Sequence, residues 1–250
     1  MKKLIPCLWI IILFLTSLPV HAQDKLTLCS ADSPPWTIKN GDSPTDIGGL
    51  AVDIMNELSR RSGITVHMEA LPFKRCLKYT EHGVFDGCFM TIKNAEREVY
   101  AEFTDPYLSI PTYIYYNPDI LGRVEWETWA DLKPYTIGSQ RGFKYGQEFT
   151  NAVVEIPLKI IEIQSVKSGL VMLSKGWVDL VLSNEFRFNY LMEKYPEFQG
   201  MFSRAEKPIA VGHVYMAVSR KSPHVALVPK LNEVLDKMKS DGTIEKIVHP

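Results

Sequence analysis

Polar and charged side chains gather in five short segments, each of which follows a stretch with the composition of a β-strand. The segments are Ser30 to Trp36, Leu71 to Arg75, Met90 to Arg97, Ser139 to Phe143 and Ser183 to Arg187. They contain arginines, which can hold a carboxylate through two parallel hydrogen bonds, and backbone N–H groups, which can bind an anion at a helix start. Ligands of open α/β sheets lie beyond the carboxyl ends of the strands. These segments therefore hold the candidate ligand-binding residues.

The sequence offers little for catalysis. It contains no Ser, His and Asp order, no His-Glu-x-x-His and no convincing metal-ligand spacing. His213 and Glu185 are a conceivable acid–base pair, but a single histidine in a strand is more often a packed side chain. We therefore predict no catalytic residue, no metal site and no cofactor.

Two stretches of the chain share one order of elements, strand, helix, strand, helix and strand. In the first stretch the predicted elements are Lys25 to Ala31, Leu50 to Ser62, Ile64 to Ala70, Lys74 to Glu81 and Asp86 to Thr91. In the second stretch they are Tyr135 to Gly138, Lys144 to Ala152, Leu158 to Ile163, Val166 to Lys175 and Val178 to Leu182. Gly63 ends the first helix, and Ser165 is placed to cap the fourth. The repeat predicts two α/β lobes.

Two extended segments connect the lobes, one over Pro111 to Pro118 and one over Ile209 to Val218, so we expect a hinge. A last helix, with Val228, Leu231, Leu235 and Met238 at apolar spacing, ends at Gly242. The predicted division is residues 1–22 as a signal peptide, residues 23–114 plus 213–250 as lobe 1, and residues 115–212 as lobe 2.

The first residues are typical of a secretory signal peptide. Lys2 and Lys3 precede an apolar run over Leu8 to Leu15, and small residues stand before a polar segment that begins at Gln23. The run is shorter than the roughly 20 residues that span a bilayer. We expect cleavage after Ala22 and a periplasmic, soluble product.

The composition argues against a nucleic-acid partner. The full chain of 250 residues carries a formal net charge of −1, and loss of the two N-terminal lysines makes it −3. Apolar residues make up 46% of the chain, which is enough for one large core or two modest ones. We expect a small-molecule ligand rather than a nucleic acid as the partner.

Three cysteines follow the signal peptide, Cys29, Cys76 and Cys88. Their odd number allows one disulfide at most, and the periplasm permits it. Buried thiols are the default interpretation, because Cys29 and Cys88 fall in apolar strand-like segments. A bridge between Cys29 and Cys88 is the alternative, open if their strands are neighbours.

Several motifs then follow one another in a characteristic order. They are Gly48-Gly49-Leu50-Ala51-Val52-Asp53-Ile54, Phe85-Asp86-Gly87, Glu96-Arg97, Phe103-Thr104-Asp105-Pro106-Tyr107 and Asp241-Gly242-Thr243-Ile244. In these motifs the chain resembles the bacterial extracellular solute-binding proteins of family 3, the polar amino-acid receptors of ABC importers. The resemblance implies a type II periplasmic-binding fold, two α/β lobes joined by two crossing segments with a ligand cleft between them.

The resemblance also assigns roles to residues of lobe 1. Arg97 would fork onto the ligand's carboxylate, although without the flanking motifs it reads as a helix arginine paired with Glu96 or Glu98. Phe73 falls where the family places an aromatic that covers the ligand, or it is a core phenylalanine. Arg75 either adds a second positive charge toward an acidic ligand or forms a surface ion pair.

The chain departs from the family at two places. The family usually carries a hydroxyl residue five positions before the arginine, where this chain has Ile92, with Thr91 one step earlier. It also usually carries an aspartate after the third strand of lobe 2, where this chain has Asn184 followed by Glu185. The ligand therefore need not carry an α-ammonium group, unless Glu185 turns into the cleft and replaces the aspartate.

The full set of candidate ligand-binding residues combines these positions with others from the same loops. Gln140, Arg141, Gly142 and Phe143 occupy the turn after the first strand of lobe 2, where backbone N–H groups at a helix start can bind an anion. The alternative for Gly142 is that it is only a turn residue. The remaining candidates are Asp32, Met90 and Thr91.

Three functions remain open from the sequence. The first is a binding protein that delivers a carboxylated solute, an amino acid or a related organic acid, to an ABC importer. The second is an enzyme on the same fold, since the family resembles a few periplasmic dehydratases. The third is the ligand module of a sensory system.

Overall fold

The computed structural model describes residues 24–143 and 145–249. The predicted signal peptide and its cleavage point lie outside the described residues. None of the helices in the described part of the chain is long and apolar enough to cross a membrane.

Strands and helices alternate along the chain. The strands are β1 (Lys25–Ser30), β2 (Ile38–Lys39), β3 (Ile47–Gly48), β4 (Thr65–Ala70), β5 (Gly87–Thr91), β6 (Ala101–Phe103), β7 (Leu108–Tyr116), β8 (Thr136–Gln140), β9 (Lys159–Ile163), β10 (Leu180–Asn184), β11 (Ser203–Arg204) and β12 (Ala210–Ser219). The α-helices are α1 (Leu50–Ser62), α2 (Phe73–His82), α3 (Ala95–Glu98), α4 (Pro118–Leu121), α5 (Gln147–Glu155), α6 (Val166–Ser174), α7 (Glu185–Lys194), α8 (Val228–Ser240) and α9 (Thr243–Val248).

Two parallel strand triplets form the halves of the molecule. In the first half β1 lies between β4 and β5, and in the second half β8 lies between β9 and β10. Each half follows the predicted order of strand, helix, strand, helix and strand, which is confirmed. In both halves the chain leaves the central strand to one side and returns to the other. The loops after β1 and β8 are therefore topological switch points, where ligands of such sheets bind.

The two extended segments cross between the halves as the long strands β7 and β12. They pair antiparallel with each other, Ala210 with Thr112 through to Val214 with Leu108. Beyond that shared stretch, β7 continues along β10 in the second half and β12 continues along β5 and β6 in the first. The crossing strands thus join the halves through a continuous hydrogen-bonded ladder.

Each half has its own hydrophobic core, which lies between its part of the large sheet and the helices that cover it. In the first half, the predicted apolar face of α1 is fully buried at Ile54, Met55 and Leu58. Helix α1 has the predicted bounds, and Gly63 ends it in a left-handed conformation. In the second half, Ile137, Leu180 and Leu182 anchor a separate cluster. The lobe boundaries at 114/115 and 212/213 stay a prediction.

Glycine is required where β12 crosses close to β5. A Cβ atom on Gly87 would lie 2.3 Å from the carbonyl oxygen of Ala217. Its neighbour Asp86 accepts hydrogen bonds from Thr27 and Ser222, which fixes the start of β5 against β1 and the segment after β12. The Phe-Asp-Gly motif is therefore explained by strand packing.

Some predicted bounds differ from the structure. The helix expected over Lys144 to Ala152 begins at Gln147, and the strand expected over Val178 to Leu182 is β10, which runs on to Asn184. Asp179 explains the later start of β10, because its carboxylate accepts the Thr136 N–H before the strand begins. Helix α7 was not predicted. It starts directly after β10, where Asn184 caps it.

Both interpretations of the cysteines were wrong. Cys29 and Cys76 form a disulfide with a Cα–Cα distance of 5.7 Å, and Cys88 is a free, buried thiol. Cys29 and Cys88 are indeed register partners on neighbouring strands. Helix α2 packs against β1 and places Cys76 within bonding distance of Cys29, so the Cys29 sulfur is not available to Cys88.

Alkylation of the unfolded, unreduced protein is expected to label Cys88 and neither Cys29 nor Cys76. Burial raises the pKa of Cys88 to about 11, so labelling is expected only after unfolding. Replacing both Cys29 and Cys76 by alanine should lower the free energy of unfolding by about 2–4 kcal/mol. Peptide mass spectrometry and urea titration measure the two effects, and labelled Cys29 with an unlabelled Cys88 would contradict the pairing.

The Asp-Gly-Thr-Ile motif fastens the C-terminal segment to α1. Arg61, in the last turn of α1, donates to Glu57 on its own helix and to Asp241 and Thr243 of the motif. Hydrogen bonds from Arg60 and Arg61 lower the pKa of Glu57 to about 2, and those from Thr243 and Arg61 lower the pKa of Asp241 to about 2. One arginine thus links three elements of the first half.

This cluster predicts a loss of stability in acid. Both carboxyl groups have lower pKa values folded than their ordinary values of about 4, so their stabilisation is complete above about pH 5 and is lost as the pH falls toward 2. Arg61→Leu should flatten this part of the profile, as measured by urea unfolding across the range. Arg123→Leu, which removes surface ion pairs with Glu125 and Glu206, is the control. Coincident profiles for wild type and Arg61→Leu would contradict the assignment.

Candidate ligand-binding site

Arg97 lies just beyond the carboxyl end of β5. Its Nη1 donates to the Thr91 hydroxyl at 3.0 Å and to the Ile92 carbonyl at 2.8 Å. Asn94 caps the short helix α3 by accepting the Arg97 N–H at 2.9 Å. Glu98 pairs with Lys93, and Arg97 has no ion pair in the part of the chain that the structure describes. The guanidinium is held in place by neutral groups and keeps its charge uncompensated.

Phe73 lies beside this guanidinium, with 5.4 Å between the Arg97 Cζ and the ring centroid. It is the first residue of α2 and is half-buried. Arg75, two residues on, is exposed and has no side-chain partner within the described residues. The structure therefore brings together Arg97, Thr91 and Phe73, and leaves Arg75 at the surface.

Met90 marks an irregular end to β5. Its φ of +57° is in the left-handed region, which costs a residue with a Cβ about 1–2 kcal/mol. The buried hydroxyl of Tyr107 accepts the Met90 N–H at 3.1 Å, and the pairing of β12 with β5 shifts register at the same place. Tyr107 belongs to the Phe-Thr-Asp-Pro-Tyr motif, so this motif holds the backbone beside Thr91. Bulges and strained residues are common next to binding sites.

In the second half, the loop after β8 does not form the expected anion-binding helix start. Helix α5 begins only at Gln147, and three loop amides are already used within the protein. Gln140 N–H donates to the Tyr145 hydroxyl, Arg141 N–H to the Ile163 carbonyl and Phe143 N–H to the Gln140 carbonyl. The expectation of free N–H groups at Gln140, Arg141 and Phe143 was therefore wrong.

The side chains of this loop divide between the cleft and the surface. Gln140 and Phe143 line a small pocket described below. Arg141 points away from it and pairs with Glu162 at 3.1 Å, with both side chains largely exposed. Gly142 has a φ of +73° and open space around it, as a turn requires. On the opposite lobe Asp32 is exposed and accepts the Lys39 N–H.

Asn184 and Glu185 are both engaged by neighbours. The Asn184 side chain accepts the Arg187 N–H at 2.9 Å, which caps α7. Glu185 pairs with Arg204 at 2.7 Å, and Arg204 in turn stacks on the Tyr113 ring at 3.9 Å. The acidic side chain that follows Asn184 is thus held toward the crossing strand β7.

Arg187 is the residue that sequence reasoning missed. It lies within the polar segment after β10, but nothing in its spacing marks it out. Its Nη2 donates to the Ser33 hydroxyl of the first half at 2.9 Å, and its Nε is buried without a hydrogen-bond partner. Burial lowers its pKa. It lines a pocket with room for about one water molecule, together with Gln140, Phe143, Tyr145, Val166, Leu182, Ser183 and Asn184.

The start of α7 closes one side of the cleft. The Phe186 ring packs against Trp36 with 4.6 Å between centroids and lies 5.3 Å from the His249 ring. Trp36 follows β1 and His249 follows α9, so Phe186 contacts two separate segments of the first half. Together with the Arg187 to Ser33 hydrogen bond, this contact holds the two switch-point loops against each other.

The conceivable acid–base pair is not assembled. His213 lies at the surface, with its Nδ1 3.1 Å from the Ser109 hydroxyl on the crossing strand β7. Glu185 instead forms an ion pair with Arg204. Among residues 24–143 and 145–249, no group of three or more acidic, histidine or cysteine side chains is placed to hold a metal ion.

This arrangement, with two switch points facing one cleft and unpaired arginines beside it, is that of a solute receptor. A family model of the bacterial extracellular solute-binding proteins, family 3, matches residues 26–249. The chain belongs to this family.

The relatives and solved structures agree with that assignment. The chain is 24% identical to the ABC transporter arginine-binding protein 1 of Escherichia coli K12, over 90% of each chain. It is 23% identical to the L-cystine-binding protein TcyA of Bacillus subtilis 168, over 85% of this chain and 75% of the relative. Substrate-binding domain 2 of Lactococcus lactis GlnP, in its open conformation, superposes with a TM-score of 0.72 at 20% identity, covering 91% and 95% of the two chains. The type II periplasmic-binding fold is thereby confirmed.

Exchange of Asn184 tests its role as a helix cap. Asn184→Ala should lower the free energy of unfolding by about 1 kcal/mol, because the Arg187 N–H loses its acceptor, whereas Asn184→Ser keeps a comparable cap without adding a charge. Urea titration of both variants measures the difference. Equal stabilities for the alanine and serine variants would show that capping is not what this side chain contributes.

Proposed function

We propose that this chain captures a small carboxylated solute in the cleft between its two halves. The observation that carries the proposal is the Arg97 guanidinium, which is fixed by Thr91 and Ile92 and has no acidic partner in the described structure. A guanidinium fixed by neutral acceptors on one edge keeps its other donors available for a carboxylate. Phe73 lies beside this guanidinium at the start of α2, where its ring can contact a bound solute.

The solute need not carry an α-ammonium group. The position at which the family usually has an aspartate is occupied by Asn184, whose oxygen is used as a cap, and Glu185 is paired with Arg204. An ammonium group buried without a counter-charge costs several kcal/mol. The relatives are named for arginine and L-cystine, which are α-amino acids. To bind such a ligand in the same way, this chain would first have to break the Glu185 to Arg204 pair.

Membership of the family supports a cellular role in solute uptake. The protein works outside the cytoplasm, in the periplasm after cleavage of residues 1–22, and as a monomer it delivers the solute to an ABC-type permease. His213 and Glu185 contact Ser109 and Arg204 respectively and do not meet as an acid–base pair.

Removal of the Arg97 guanidinium tests the proposal. A thermal-shift panel of short organic acids and the standard L-amino acids first identifies the best ligand. Arg97→Ala should then weaken its binding by about 2–5 kcal/mol, or about 30-fold and more, with an unchanged circular dichroism spectrum. Arg97→Lys, which keeps the charge but lacks the fork, should also bind poorly.

Arg60→Ala is the matched control, because Arg60 is an exposed arginine of the same half that pairs only with Glu57. It should bind as the wild type does. An affinity of Arg97→Ala within tenfold of wild type would refute the carboxylate role. A standard L-amino acid as the best ligand, with binding lost in Glu185→Gln, would refute the absence of an ammonium partner.

A further inference from the structure

Arg187 carries a charge that nothing in the described structure balances. Its Nε is the one buried side-chain nitrogen or oxygen without a hydrogen-bond partner among the described residues. Within the described residues, the guanidinium donates one hydrogen bond, from Nη2 to the neutral Ser33 hydroxyl. Buried polar groups are almost always paired, so an unpaired one requires an explanation.

The walls around this guanidinium are uncharged. The neighbouring pocket is lined by amides, a hydroxyl, aromatic rings and aliphatic side chains, and by no carboxylate. Desolvation lowers the pKa of Arg187, which is the direction expected when burial is not offset by an acid. A partly buried cation that folding does not neutralise is suited to an anion that arrives later.

The position of Arg187 relative to Arg97 suggests what that anion is. Ser33, its hydrogen-bond partner, follows β1, and Thr91, which holds Arg97, ends β5. Strands β1 and β5 are direct neighbours in the sheet. The two arginines therefore approach the carboxyl edge of the same sheet, Arg97 from the first half and Arg187 from the second.

We propose that Arg187 binds a second acidic group of the solute, so that the ligand is a short dianion with one carboxylate on Arg97 and the other on Arg187. This inference rests on the proposed function of Arg97. The Ser33 hydroxyl accepts the hydrogen bond from Nη2, and the adjoining pocket has room for only about one water molecule. Binding exchanges the Ser33 hydroxyl for the ligand's carboxylate and links the two halves through the solute.

The test compares dicarboxylates with their own monoamides. Succinate, glutarate and adipate are titrated calorimetrically beside succinamate, glutaramate and adipamate, which keep the length and lose one charge. The wild type should bind its best dicarboxylate at least tenfold more tightly than the matching monoamide. In Arg187→Gln this preference should fall to less than threefold, because the dicarboxylate loses affinity and the monoamide changes little.

Arg123→Gln, an exposed and ion-paired arginine of the same half, should keep the wild-type preference. A wild type that binds dicarboxylate and monoamide equally, or an Arg187→Gln variant that keeps the preference, would overturn the inference. If the monoamides still bind and lose their affinity in Arg97→Ala, the proposed function survives that failure. No binding of any acid at millimolar concentration would overturn both.

A second measurement excludes a merely structural role. Because the Nε has no partner, Arg187→Met should unfold at the same temperature as the ligand-free wild type or above it, while losing the preference for dicarboxylates. A ligand-free midpoint several degrees below wild type would identify Arg187 as a structural residue and overturn the inference.

Discussion

The antiparallel pairing of β7 with β12 is the constraint on which the site depends. Each strand belongs at one end to the first half and at the other to the second, and their shared ladder over Leu108–Thr112 and Ala210–Val214 fixes how the halves face each other. Since the parallel triplets β4-β1-β5 and β9-β8-β10 attach to opposite ends of this ladder, their carboxyl edges open onto one cleft. A ligand held by both edges must then be sensitive to the angle between them. Phe186 bridges the two edges through its contact with Trp36.

Local patterns were sufficient for much of this architecture. Helix α1 and its end at Gly63 follow from apolar spacing and a left-handed glycine, and the Ser165 cap of α6 follows from a side chain that competes for backbone N–H groups. The repeated order of strands and helices follows from such signals taken together. The environment of Arg97 was partly predictable, because its motif is contiguous in sequence.

Features that depend on tertiary placement were not predictable. Cys76 bonds Cys29 because α2 packs against β1, whereas the sequence shows only that three cysteines follow the predicted signal peptide. The free amides expected after β8 were absent because Tyr145, Ile163 and Gln140 provide acceptors from three different positions. In the sequence, nothing distinguishes Arg187 from other helix arginines. Only the fold buries its Nε and places Ser33 beside it.

Asn184 and Arg187 form a single arrangement at the start of α7. They are three residues apart at the start of α7, a spacing at which helix side chains interact. An aspartate at 184 would cap the helix as well as an asparagine does, since the two are equivalent at this position. It would also bring a carboxylate to the small pocket that the Arg187 side chain lines. The amide keeps the cap and leaves Arg187 without a counter-charge. Asparagine rather than aspartate at position 184 thus offers no partner to a ligand's ammonium group. It also leaves the Arg187 guanidinium available to the acidic group that we propose for the ligand.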